Sequence, residues 1–175
     1  APTYRATLNL NGGGSLARYY VSVSNVDEGG MYKVDEGLKD YNTNANYRRW
    51  NYRLNVDMDI TKSTLLKVGV AGSLDKKNEP GMAGNIWASA MRNNPISVPV
   101  MYSNGYVPAY GSENDQLNPW VAATQTGYQE TWNNKLQANA TLEQSLNFIT
   151  KGLKFIGRYG FDTNNYQWIN RKKFP

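Results

Sequence analysis

The chain has no cysteine and no histidine among its 175 residues. That excludes disulfide staples, thiol nucleophiles, histidine-based triads and the usual Cys/His metal clusters, and no metal or cofactor is expected. Long hydrophobic runs are missing as well. With 40% hydrophobic residues and a mean hydropathy of −0.65, no stretch is apolar enough to be a transmembrane helix. A β-barrel is untouched by this absence, because lipid-facing and lumen-facing residues alternate along its strands and dilute one another. Net charge of one sign is also scarce over most of the length. Residues 1–150 balance 13 basic against 13 acidic side chains. The excess of +5 comes from residues 151–175, where Lys151, Lys154, Arg158, Arg171, Lys172 and Lys173 stand against Asp162 alone. An excess so local reads as solvated strand ends rather than the basic stripe of a nucleic-acid binder. Ala1 opens directly into strand-like sequence instead of a basic and then apolar leader, so the expectation is a mature chain or a piece of a longer one.

What is present is alternation. In residues 47–61, Tyr52, Leu54, Val56, Met58 and Ile60 alternate with Arg53, Asn55, Asp57 and Asp59. Successive side chains leave opposite faces of a strand, so this segment has one apolar and one charged face. An ordinary strand runs about 5–6 residues, whereas this pattern persists for about 14, the length of a membrane-crossing strand with its ends.

Five further segments read the same way. They are residues 3–11, about 17–33, 64–75, about 128–148 and about 153–168. Gly12-Gly13-Gly14-Ser15, Thr61-Lys62-Ser63 and Thr150-Lys151-Gly152 supply tight turns, while residues 34–46 and 76–127 make long connections. Residues 84–93 predict a short helix in which Ile86, Trp87, Ala90 and Met91 share a face. Pro95, Pro99, Pro108 and Pro119 follow, outside every predicted strand. Connections that run short, long, short, long, short match outer-membrane barrels, with tight turns inside and long loops outside. Aromatics are then expected at the outer strand ends, and Tyr32, Tyr47, Trp50, Tyr52, Tyr128, Trp132, Tyr166 and Trp168 fall there. The fold class is all-β: an antiparallel transmembrane barrel fragment of about six long strands in three hairpins, with residues 76–127 as one large extracellular loop holding a short helix.

The order of motifs resembles the SusC/RagA-type TonB-dependent transporters of Bacteroidota. The residues that carry the resemblance are GGGSLARYYVSVSN at 12–25, then Arg53, Asn55, Asp57, Ile60 and Thr61 of the next hairpin. MRNNPISVPVMYSNGYVP at 91–108, LNPW at 117–120 and NFITKGLKFIGRYGFD at 147–162 follow in the family's order. The family's TonB-interaction segment, its plug domain and most of its strands are not in this sequence. The resemblance implies a parent protein in the cell outer membrane, bounded by lipid. That parent imports an oligosaccharide or peptide substrate beneath a SusD-like surface lipoprotein, energised by the TonB complex through other parts of its chain.

Candidate residues fall in two groups. Arg53, Asn55, Asp57 and Asp59 are lumen-facing on the barrel reading. Asp57 and Asp59 lie about 6.6–6.8 Å apart along one strand face, which overlaps an inverting glycosidase's carboxyl separation. Nothing converges on them, so no catalytic residue and no enzyme activity is assigned. The loop aromatics Trp87, Tyr102, Tyr106, Tyr110 and Trp120 form the ligand-binding group, since ring faces stack on sugars. Asn104 and Asn118, with Asn114 and Asp115, would bond hydroxyls. The rival reading is a soluble antiparallel β domain that binds carbohydrate through the same loop.

Overall fold

A computed structural model of the chain describes residues 1–37, 41–94, 96, 99–108 and 118–173. Six strands and two helices form among them. β1 (Thr3–Gly13), β2 (Ala17–Glu28), β3 (Asn46–Thr61) and β4 (Thr64–Pro80) precede α1 (Ala83–Arg92) and α2 (Pro119–Thr124), and β5 (Gly127–Ser145) and β6 (Lys154–Lys172) complete the chain. The strands make a single antiparallel sheet in the order 1-2-3-4-5-6, so each pairs with its neighbours in sequence. The sheet does not close on itself, and β1 and β6 each keep one free edge. The all-β, three-hairpin architecture expected from alternation is the one observed.

Cross-strand register sorts the side chains into two faces, because directly paired residues leave the same side of a sheet. One row reads Leu10, Val21, Leu54, Val70, Ala138 and Phe161. The next row toward the short turns holds Tyr19, Val56, Val68, Ala140 and Tyr159. The opposite face carries Ser22, Arg53, Ala71, Gln137 and Asp162 in one row and Ser24, Asn51, Ser73 and Lys135 in another. The 47–61 alternation therefore extends coherently over six strands. From Leu66 to Leu74 the apolar face runs about 27 Å along β4 at about 3.4 Å per residue.

This apolar face has nothing packed over it among the described residues. Leu8 is 71% exposed, Phe161 49% and Leu54 38%. The buried aliphatic side chains lie instead at one end of the molecule, where Ile86, Ala122 and Ala123 cluster under Tyr32 and Met82, with Val121 buried beside Ala122 in α2. We refer to that end as the cap and to the rest of the sheet as the wall. The cap is fixed by polar bonds. The Asn78 amide donates to the carbonyls of Asn42 and Asn44, both at 2.9 Å, and Thr126 Oγ1 donates to the Ala122 carbonyl at 2.8 Å.

Several boundaries differ from expectation for identifiable reasons. β2 ends at Glu28, and Tyr32 leaves the strand to pack against the Ile86 cluster. β4 continues to Pro80, because Lys76, Asn78 and Pro80 still pair with Trp132, Glu130 and Tyr128 although the apolar pattern has faded. Pro80 then ends the ladder, having no N–H to donate. The last turn spans residues 146–153 rather than three residues. Leu146 N–H bonds the Leu153 carbonyl at 2.9 Å, and Gly152, at φ +86°, sits where other residues are strained. The outer aromatics also divide. Trp50, Tyr52, Tyr128 and Trp132 share the apolar face, whereas Tyr47, Tyr166 and Trp168 share the polar one.

Candidate functional site

The polar face is hollowed along β4. Gly69, Ala71 and Ser73 alternate there, giving a floor with almost no side-chain height, and Ser73 is buried. The flanking strands carry long side chains at these rows, Asn51 and Arg53 from β3 and Lys135 and Gln137 from β5, with Arg49 one row further toward the cap. Short residues between long ones make a groove, here an open hollow of about 650 Å³ that Tyr20 and Ser22 also line. Its β5 wall leans inward at one end, where a Cβ on Gly69 would stand 2.9 Å from Asn139 Oδ1.

The groove is bounded by two charge clusters. Toward the cap, Arg49 Nε lies 3.2 Å from Asp75 Oδ1, and the Tyr47 hydroxyl donates to the same carboxylate at 3.2 Å. Arg49 also donates to Asn51 Oδ1 at 3.0 Å, and the Asn51 amide donates to Ser24 Oγ at 3.2 Å. Toward the short turns, Glu143 is held by Lys67 at 2.7 Å and by Lys154. These pairs satisfy Asp75 and Glu143 and leave the middle of the groove with Arg53 and Lys135, which pair with no described carboxylate.

The four residues expected to share one charged face do so. Arg53 enters the groove. Asn55 lies beside it in the row of Tyr20 and Gly69, and Asp57 falls in the row of Arg18 and Lys67. Asp59 accepts an ion pair from Arg18 at 3.4 Å. Arg49, Lys135, Gln137 and Tyr20 join the groove only through the register of β2–β5, which the alternation of β3 by itself does not show. The signal was there: the small residues 69, 71 and 73 alternate in the strand that follows.

The described loop candidates are spread over α1, the start of α2 and a turn at 102–106. Asn118 is 1% exposed and works as a helix cap: its Oδ1 accepts from Trp120 N at 2.9 Å, and its amide donates to the Val100 carbonyl at 3.2 Å. A buried, fully engaged amide has nothing left to offer a sugar, which corrects its assignment as a ligand. Asn104 Oδ1 accepts from Tyr106 N at 3.1 Å within a turn closed by Gly105. Tyr102 and Tyr106 are brought together there, Tyr102 N–H bonding the Tyr106 carbonyl at 2.8 Å. Trp120 is half-buried at the start of α2. Tyr110, with Asn114 and Asp115, lies outside the described residues. On α1 the buried side holds Ile86 and Ser89, while Trp87 and Met91 are exposed. The expected shared face of Ile86, Trp87, Ala90 and Met91 is therefore split.

No family model matches the chain, and comparison with curated proteins found no match. What the groove can do follows from its own chemistry. Among the described residues it offers cations and amide or hydroxyl donors on a paired ladder.

Proposed function

We propose that this chain is a wall segment of a TonB-dependent outer-membrane transporter of the SusC/RagA type. The observation that carries the reading is the apolar face of the six-stranded meander, uncovered across the wall while the opposite face is polar and hollowed. In water, burying such a Leu, Val or Phe side chain contributes about 1.5–3 kcal/mol, and soluble monomers rarely expose patches beyond about 300–600 Å². A sandwich would cover this face with a second layer. Here lipid supplies the cover, and the polar face becomes the lumen, with Arg53, Asn55, Asp57 and Asp59 pointing into it.

Two features fit that orientation. The apolar face ends in a charged collar beside the cap, where Arg48 bonds Asp27 at 2.6 Å, Lys76 bonds Glu130 at 3.0 Å and Lys76 Nζ lies 4.5 Å from the Trp132 ring centroid. Tryptophan next to paired charge is the side-chain chemistry of a membrane–water boundary. The cap then stands outside the cell. Its exposed Trp87, Met91 and Ile96 suit contact with a SusD-like surface lipoprotein, and a parent chain supplies the remaining strands and the TonB contact. The cargo is a glycan or a peptide.

The test is a pair of arginines on adjacent residues of β3. Val56→Arg places a charge against lipid and is expected to cost about 2–4 kcal/mol near the bilayer midplane, whereas Asn55→Arg is mild. Urea unfolding of the full-length protein from lipid vesicles measures both. Equal tolerance of the two would sink the reading.

A further inference from the structure

We propose that the groove along β4 is a binding site for an acidic oligosaccharide, a chain of sugars bearing uronate carboxylates. This deepens the transporter reading and rests on it, since the polar face is reached by cargo only if it lines a lumen.

The argument begins with charge. Arg53 and Lys135 flank the groove from β3 and β5, two strand spacings across the sheet and one row apart along it, about 12 Å between their backbones, and neither has a described carboxylate partner. The nearest acid toward the cap, Asp75, is already engaged by Arg49 and Tyr47. At the other end Glu143 is engaged by two lysines. The site therefore presents two cations without an ion pair across a floor buried at Ser73, with Asp162 in the Arg53 row one strand beyond Gln137. Both side chains are exposed, so an incoming carboxylate gains from two cations meeting it over one floor rather than from burial.

The neutral chemistry selects a sugar over an acidic peptide. Ser22 and Gln137 line the groove with no side-chain hydrogen bond to a described residue, ready to meet hydroxyls, and the Tyr20 ring stands beside them. A peptide bound on a sheet draws much of its affinity from free backbone ladder groups. Those of β3, β4 and β5 are already paired along the whole groove. The hollow, at about 650 Å³, lies within the range of small-ligand sites, about 300–1,000 Å³.

Isothermal titration of the full-length protein in detergent micelles tests this with trigalacturonate, maltotriose and triglutamate as probes. Trigalacturonate is expected to bind, and to weaken as salt rises. Maltotriose should bind at least about tenfold more weakly, and Arg53→Gln and Lys135→Gln should each lose about tenfold, one charge-assisted contact's worth. Arg53→Lys should retain most of the affinity. Arg5→Gln, on the same face but in β1, should leave it unchanged. Each variant's fold is checked by its heat-dependent electrophoretic shift. The proposal is overturned if maltotriose or triglutamate binds as tightly as trigalacturonate, or if neither glutamine variant weakens binding. Failure of the two ideas is separable. Absent uronate binding in a protein that rejects only Val56→Arg removes the anion site and leaves the wall. Arg53-dependent uronate binding in a protein that tolerates Val56→Arg and Asn55→Arg alike removes the wall and leaves the site.

Discussion

The wall and the cap solve opposite problems with one continuous ladder. In the wall, large side chains such as Leu54, Tyr159 and Phe161 stand uncovered on one face, and polar groups face the other. In the cap the pattern inverts. Small residues such as Ala122, Thr124 and Ser89 are fully buried, and large ones such as Trp87 and Met91 lie outside. A segment that packs against itself in this way carries its own core into water. A wall that buries almost nothing needs its surroundings to supply the apolar contact. On the proposed transporter reading, the solvent changes along the strands near Trp50, Trp132 and the Lys76–Glu130 pair.

The sharpest way to break that comparison is to place the same charge on an exposed apolar residue of each region. Leu54→Arg should cost about 2–4 kcal/mol in lipid vesicles, while Trp87→Arg, at a site more exposed than Leu54, should change stability by less than about 0.5 kcal/mol. Similar losses, read by urea titration, would erase the distinction. Next in size is the joint between the regions. Gly127 opens β5 at φ +85°, and a Cβ there would come within 1.9 Å of the Arg171 carbonyl oxygen. Gly127→Ala should cost at least about 1–3 kcal/mol from the backbone alone, and hydrogen exchange should rise at the outer ends of β5 and β6 before the wall responds.

Smaller still is the cap's internal bond. Asn118→Ala removes the α2 cap and should cost about 0.5–2 kcal/mol, seen as faster exchange over 119–124 with the wall unchanged. The smallest effect lies at the boundary. Lys76→Gln loses the Glu130 pair and the Trp132 contact, about 0.5–1 kcal/mol, and the loss should shrink as salt rises.

The wall was legible in the sequence because it obeys a local rule. Period two needs no tertiary information, and Leu54, Val56 and Met58 announce their face alone. The groove was half legible. Arg53 could be placed on its face, but its partnership with Lys135 depends on the register of three strands, which is set by their pairing. The cap was least legible. α2 went unread although Asn118-Pro119 is a cap followed by a favoured first helical residue, since the same dipeptide also reads as a turn. Asn118 was assigned to ligand for the same reason: its chemistry was visible, its burial was not. Tyr32 was drawn into a strand because aromatics suit strands, and packing on Ile86 overrode that preference.

The nearest-neighbour strand order has a consequence for how such a chain comes together. Every ladder joins segments adjacent in sequence, and the closing of short loops carries the lowest entropic toll. Hairpins β1–β2, β3–β4 and β5–β6 can each zip from a short turn, and low contact order favours speed. On the proposed barrel reading, the late step is the pairing that this sheet leaves open, at the outer edges of β1 and β6. Delay there exposes two long unpaired edges at once, so the hazard of mispairing is concentrated in the final closure.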